Sequence, residues 1–143
     1  MPRVMVFGTF DNLHPGHLSY FAQAANYGDE AIAVIARDQN VLKLKGKRPQ
    51  EDEKTRQKKV KAALKLVVGF KSRAVLGRRH DHFALLAKYR PEFICLGYDQ
   101  AVDMKALKRF ITQSGFFCRI KRLKAFKPER YKSRYCLKVV NKY

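Results

Sequence analysis

Short apolar runs alternate with amphipathic segments along this chain, and the alternation restricts the folds it can adopt. The apolar runs have the length and flanking turn residues of buried strands, and they lie at residues 3–7, 31–36, within 67–76, 93–96 and 116–120. The segments between them carry apolar residues at helical spacing, at residues 16–27, 50–66, 83–89 and 102–114. Strands separated by helices are typical of βαβ units, so we predict an α/β fold in which helices cover both faces of a parallel five-stranded sheet.

The length of 143 residues is that of one ordinary domain, and no internal repeat or linker divides the sequence. We therefore expect a single domain over residues 1–143. The basic segment at residues 41–48 predicts a loop after the second strand, and a short last helix is expected from about Ser133.

Basic residues exceed acidic ones by 31 to 12, which gives a net charge of +19 and indicates anionic partners or an anionic surface. No apolar run approaches the roughly 18 residues that span a bilayer, and the N-terminus has no signal-peptide pattern. We therefore expect a cytoplasmic protein with no membrane partner. Cys95, Cys118 and Cys136 are widely spaced, which favours reduced thiols over a disulfide framework.

The most informative stretch, Gly8 to His17, lies where the first strand gives way to the first helix. Ligands of open α/β sheets bind outside the carboxyl ends of the strands. Pro15 suits the first helical position, which makes His14 the N-cap and places His17 in the first turn. Both imidazoles are then at the helix end that attracts phosphate, and Gly16 between them lets a nucleotide approach the backbone closely.

The chemistry indicated by two histidines at such a place is electrostatic. An in-line attack on a nucleotide α-phosphorus builds negative charge on that centre and on the departing pyrophosphate. One preorganised donor to such oxygens is worth about 2.7–4 kcal/mol of barrier. The alternative is a pair of helix-start histidines that only bind backbone carbonyls, although the ordered ten-residue pattern favours the functional interpretation.

The string G-T-F-D-N-L-H-P-G-H at residues 8–17 resembles the motif of the cytidylyltransferase-like nucleotidyltransferases. That group includes glycerol-3-phosphate and choline-phosphate cytidylyltransferases, pantetheine-phosphate adenylyltransferase and archaeal-type FAD synthetase. The resemblance extends over nearly the whole chain. It implies a Rossmann-like fold, a commonly dimeric protein, and transfer of a nucleoside monophosphate to a phosphorylated acceptor with a divalent metal, usually Mg²⁺.

The resemblance also assigns roles to the motif residues. It implies that His14 and His17 contact the triphosphate and that Gly8, Thr9 and Phe10 line the nucleotide. It places Asp11 close to the phosphates or their metal, although no metal ligand is identified. Gly16 belongs to the nucleotide-binding set.

Two further basic features resemble parts of this family. The sequence K-L-K-G-K-R-P after the second strand is similar to the family's mobile lysine loop, in which one lysine reaches the triphosphate. We favour Lys45 as the catalytic lysine, with Lys43 as the other candidate. Arg56, on the following helix, corresponds to an arginine that faces the acceptor phosphate in this family, and a surface arginine is the alternative.

The segment L-G-Y-D-Q at residues 96–100 follows the fourth strand and resembles archaeal-type FAD synthetases. Gly97, Tyr98 and Asp99 are therefore expected to bind the base or ribose. This favours ATP as the nucleotide and FMN as the acceptor. CTP with glycerol-3-phosphate or a similar polyol phosphate is the alternative pair.

The family has a serine/threonine cluster near the end that binds the outer phosphates. Ser133 matches it, whereas Arg134 replaces the next hydroxyl, and both Arg122 and Arg130 are candidates for the family's arginine. A different class of function is also open, because residues 119–142 interleave basic and aromatic residues as nucleic-acid-binding modules do.

Overall fold

The computed structural model describes residues 2–69, 71–80, 83–98, 100 and 102–125. The strands are β1 (Arg3–Gly8), β2 (Glu30–Ile35), β3 (Ser72–Leu76), β4 (Phe93–Leu96) and β5 (Arg119–Arg122). The helices are α1 (Pro15–Ala25), α2 (Asp38–Lys45), α3 (Glu53–Val67), α4 (Ala84–Tyr89) and α5 (Met104–Ser114). In these described ranges, no helix combines the length and the apolar character needed to cross a membrane.

The strands form one parallel sheet in the order β3-β2-β1-β4-β5, which confirms the predicted α/β fold. Alternate residues of β1 face opposite sides of this sheet. Val4 and Val6 pack with residues of α1 and α3, whereas Met5 packs with residues of α4 and α5. Helices therefore cover both faces of the sheet, which is expected when the strands are continuous runs of apolar residues.

The strand order reverses between β1 and β4. From β1 the chain moves outward through β2 to β3, and β4 and β5 then extend the sheet on the other side of β1. A crevice opens at such a switch point outside the carboxyl ends of the two strands. The loop after β1 and the turn after β4 both lead into this crevice, so the topology brings the two predicted nucleotide-binding segments together.

The predicted basic loop at residues 41–48 is wrong for residues 41–45, because α2 occupies Asp38–Lys45. Val41 is buried and supplies the apolar contact of this short helix. Gly46 ends the helix with a left-handed φ of 75° and donates its N–H to the carbonyl of Leu42. The lysines at 43 and 45 are therefore fixed on a helix, with only the residues after Gly46 outside it.

The last strand also differs from its predicted range of 116–120. Gly115 caps α5, and the chain then pairs with β4 only from Arg119, whose partner is Phe93. The register of this edge strand depends on a neighbour more than twenty residues away, which local hydropathy does not encode. The expected last helix from Ser133 lies outside the described residues.

One buried arginine connects three segments near the carboxyl ends of the strands. The side chain of Arg56, on α3, is fully buried. Its Nε donates to the carbonyl of Glu51 at 3.0 Å, and its two terminal nitrogens donate to the carbonyl of Thr9 at 2.8 Å and to Asp38 Oδ1 at 2.6 Å. The guanidinium therefore joins the loop after β1, the start of α2 and the start of α3.

We expect Arg56→Ala to lower the free energy of unfolding by about 3 kcal/mol or more, because removal of one partner of a buried ion pair leaves the others without compensation. Urea denaturation of the two proteins measures the difference. Lys58→Ala, an exposed change on the same helix, is the matched control and should cost less than about 0.5 kcal/mol. Equal stabilities of the Arg56 and Lys58 variants would show that the arginine does not hold these segments together.

Candidate active site

A cleft of about 380 Å³ opens at the switch point, between the first turn of α1, the turn after β4 and the segment after β5. Its lining residues are His14, Gly16, His17, Tyr20, Gly97, Tyr98, Leu123 and Lys124. The volume is within the range of small-molecule sites. The structure therefore brings the two motif histidines and the Gly97–Tyr98 turn to one cleft, although they are some eighty residues apart in sequence.

The side chains of His14 and His17 both accept backbone N–H groups at the start of α1, and their rings contact each other. His14 Nδ1 accepts the backbone N–H of Gly16 at 3.0 Å, and His17 Nδ1 accepts the backbone N–H of His14 at 3.2 Å. The rings stack with their centroids 3.9 Å apart. Because each Nδ1 is an acceptor, the proton of each neutral ring is on Nε2, which makes both rings N–H donors on the cleft wall.

The surroundings keep both imidazoles neutral. The pKa of His17 is lowered from 6.5 to about 4, chiefly by burial and also by the neighbouring His14, and Asp11 only partly opposes this. Burial also lowers the pKa of His14 below its ordinary value. At neutral pH the helix start thus offers two neutral Nε2–H donors at the positive end of the helix dipole, which suits phosphate oxygens.

The side chain of Phe10 packs against His17 and does not line the cleft. It is only 3% exposed, and its ring makes an edge contact with the ring of His17 at 5.8 Å between centroids. A Cβ on Gly8 would lie 2.8 Å from this ring, so only glycine fits there. The side chain of Phe10 thus has a packing role, for which Gly8 provides the space, and the prediction that this residue lines the nucleotide stays a prediction.

Asp11 anchors the motif loop to the segment before α3. Its carboxylate accepts the backbone N–H groups of Gln50 at 2.8 Å and Glu51 at 3.0 Å. Burial raises the pKa of Asp11, but these hydrogen bonds, with Arg56 and Lys45 nearby, hold it below its ordinary value. In the part of the chain that the structure describes, no three His, Cys, Asp or Glu residues come together as a metal cluster.

The helical form of α2 distinguishes the two candidate lysines. Lys45 extends toward the motif, and its Nζ lies 3.5 Å from Thr9 Oγ1. Residues two apart on an α-helix point in directions about 200° apart, so Lys43 leaves the opposite side of the helix. The structure thus places Lys45, and not Lys43, beside the motif.

The turn after β4 is tied to β1 and β5 by two side chains. Gln100 accepts the N–H of Gly97 at 3.1 Å and donates to the carbonyl of Phe7 at 3.1 Å, across the switch point. Arg122 donates to the carbonyls of Gly97 at 2.8 Å and Gln100 at 2.6 Å. Tyr98 is 58% exposed at the cleft, so its ring is accessible to a ligand.

Some of the predicted site residues do not line the cleft, and others lie outside the residues that the structure describes. Because its side chain is fully buried, Arg56 does not face an acceptor phosphate in this structure and is not a surface residue either. Asp99, Arg130, Ser133 and Arg134 lie outside the described residues. Tyr20 was missed, because an aromatic residue on the apolar side of a helix predicts only packing; its hydroxyl donates to the carbonyl of Cys95, which joins α1 to β4.

The chain matches the family model described as Cytidylyltransferase-like over residues 5–138. This range includes the motif, α2 and the turn after β4. The chain belongs to the cytidylyltransferase-like family. The resemblance seen in the motif is thereby confirmed over nearly the full length of the sequence.

Relatives of this cytidylyltransferase-like chain include FAD synthases of archaea. The one from Methanohalophilus mahii is 42% identical over 123 residues, which cover 86% of this chain and 82% of the relative. The one from Archaeoglobus profundus is 38% identical over 125 residues, which cover 87% and 76%. Among solved structures, the lipopolysaccharide core biosynthesis protein of Thermoplasma volcanium matches with a TM-score of 0.76 and 34% identity, over 89% of this chain and 99% of that one. The chain is a nucleotidyltransferase with the Rossmann-like fold of this family.

We expect the free energy of unfolding to fall as the pH is lowered from 6.5 to about 4, because His17 has a lowered pKa in the folded protein. In this window the unfolded chain binds a proton that the folded chain does not. The stabilising contribution of the neutral ring is fully present above pH 6.5 and is lost as the pH falls. Denaturant unfolding at a series of pH values measures this slope.

The matched control is His17→Asn, whose side-chain oxygen can still accept the backbone N–H of His14. Its stability should depend less on pH across the same window, because the titrating group is gone. NMR titration of the imidazole in the parent protein provides a direct measurement. An ordinary pKa for His17 would contradict the neutral-donor interpretation of the site.

Proposed function

We propose that this chain is an FMN adenylyltransferase, which transfers the AMP part of ATP to FMN and forms FAD and pyrophosphate. The similarity to archaeal FAD synthases, at 38% and 42% identity over most of the chain, carries this proposal. The composition of the turn after β4 supports it, because L-G-Y-D-Q at residues 96–100 resembles those enzymes. Tyr98, exposed at the cleft, supplies an aromatic face that a flavin ring can cover.

The proposed reaction needs no nucleophile from the protein. A phosphate oxygen of FMN attacks the α-phosphorus of ATP, and the bond from that phosphorus to the oxygen bridging to the β-phosphate breaks. Charge then grows on the α-phosphate oxygens and on the departing pyrophosphate. The Nε2–H groups of His14 and His17, already oriented by their Nδ1 hydrogen bonds, donate to these oxygens without reorganisation.

A divalent cation, preferably Mg²⁺, fits this proposal as an ion that is bound to the triphosphate. Mg²⁺ keeps several waters and is commonly held by substrate phosphates with one or two carboxylates, so a protein cage of three or more ligands is not required. Such an ion would neutralise phosphate charge. Asp11 provides the carboxylate of the motif, but it already accepts hydrogen bonds from two backbone N–H groups.

The test measures the formation of FAD from FMN and ATP in the presence of Mg²⁺. The product is detected by its absorbance and by chromatography. We expect FAD and pyrophosphate in equal amounts, and we expect His17→Ala to reduce turnover by about a hundredfold or more. CTP with glycerol-3-phosphate is the parallel reaction. Pyrophosphate release from that pair, with no FAD from the first, would replace the proposal by a polyol-phosphate cytidylyltransferase.

We expect Lys45→Ala to weaken the use of ATP more than the use of FMN, because its ammonium group lies beside Thr9 of the motif, where we propose that it binds the triphosphate. The kcat/KM for ATP should fall by roughly tenfold or more, the usual scale for loss of a charge-assisted hydrogen bond. Lys43→Ala removes the same charge from the opposite side of α2 and should have little effect. The reverse ranking of the two variants would transfer the role to Lys43.

The homodimer implied by the family resemblance stays a prediction. Light scattering of the purified chain, with and without ATP, measures the mass directly.

A further inference from the structure

A row of four lysines runs along the exposed side of α3, away from the sheet. Lys54, Lys58, Lys61 and Lys65 are all exposed, and we call them the α3 lysine row. Steps of four, three and four residues keep these side chains within an arc of about 60° on a helix with 3.6 residues per turn. Over eleven residues the row extends for about 16 Å at 1.5 Å per residue.

The helix that carries the row is anchored, so the positions of the lysines are fixed relative to one another. Val60, Ala63 and Leu64 on its opposite side are buried against the sheet and α1. Asp52 caps its first turn by accepting the N–H of Thr55 at 2.7 Å. The row is therefore a rigid and nearly straight array of positive charge.

Acidic groups near the row are already engaged by other partners. Glu53 pairs with Arg37 at 2.7 Å, and Glu51 pairs with Lys59. The other ion pairs between described residues are Arg3 with Glu30 and Arg56 with Asp38. None of these pairs includes a lysine of the row, so its charge is not neutralised by the described ion pairs.

A phosphodiester duplex matches this array in shape and in charge. Double-stranded DNA presents one negative charge per roughly 1.7 Å of helix axis, so about ten phosphates lie along the length of the row. A membrane-surface helix would expose a broad apolar face, whereas the apolar face of α3 is buried in the protein. Single-strand binders use aromatic platforms, and the exposed positions of α3 carry Lys, Ala and Leu with no aromatic ring.

We propose that the α3 lysine row is a docking surface for the phosphate backbone of a nucleic-acid duplex, independent of base sequence and separate from the nucleotidyltransferase cleft. The binding energy comes from the release of counterions when the lysines neutralise phosphates. This surface does not include the basic segment at residues 119–142, most of which lies outside the described residues.

The experiment measures the affinity of the full chain for a fluorescent duplex of about two helical turns over a series of salt concentrations. The variant is the triple substitution Lys58→Gln, Lys61→Gln and Lys65→Gln, because glutamine has nearly the helix propensity of lysine. Loss of three phosphate contacts should reduce the slope of log K against log[salt] by about 2.7. Affinity near physiological salt should fall at least tenfold.

The matched control removes the same number of charges from an exposed helix on the other face of the sheet. It is the triple substitution Lys105→Gln, Lys108→Gln and Arg109→Gln on α5. We expect it to change the slope by less than half as much. Equal effects of the two triples would overturn the proposal, because binding would then depend on total charge alone.

Two further readouts complete the test. Pyrophosphate release by the α3 triple should stay at the level of the parent protein, and a loss of turnover would overturn the separation of the row from the cleft. Tighter binding of a single strand than of the duplex, or binding of anionic lipid vesicles without binding of the duplex, would overturn the choice of partner. The binding assay contains neither ATP nor FMN, so its result does not depend on the proposed reaction.

Discussion

The guanidinium of Arg56 is fully buried, and each of its three nitrogens donates to an acceptor on a different segment. Two of those acceptors are main-chain carbonyls, at Thr9 and Glu51, and the third is the carboxylate of Asp38. A planar cation with donors in fixed directions sets the angles between such segments in a way that a flexible ammonium group does not. The motif loop, α2 and the start of α3 therefore share one anchor, and the positions of Lys45 and Asp11 depend on it.

The histidine pair shows how one set of hydrogen bonds can serve both folding and chemistry. The bonds to the two Nδ1 atoms satisfy backbone N–H groups at the start of α1, where helix termini leave such groups without intrahelical partners. The same bonds fix the tautomer and leave each Nε2–H available. Burial then disfavours protonation. Two neutral rings can stack closely at this helix end, whereas two charged rings would repel each other.

The cleft lies between the motif after β1 and the turn after β4. In the proposed reaction, the motif after β1 binds the phosphates and the turn after β4 contacts another part of the ligand. Gln100 and Arg122 hold that turn against β1 and β5, so its backbone is positioned by the sheet itself.

The sequence by itself determined the α/β class, the five strands with four of the five described helices, and the family that the motif indicates, because these depend on local patterns. Apolar periodicity indicates which segments are buried. Within the ten-residue motif, Pro15 indicates that the first helix begins between His14 and His17. The helix at Asp38–Lys45 has a local signal in Gly46, which ends it. The direction of Arg56, the register of β5 and the bridge from Gln100 to Phe7 were decided only by tertiary structure. Each of these depends on partners about 20 to 90 positions away in sequence, and local patterns contain no information on which distant carbonyl or carboxylate a side chain will meet.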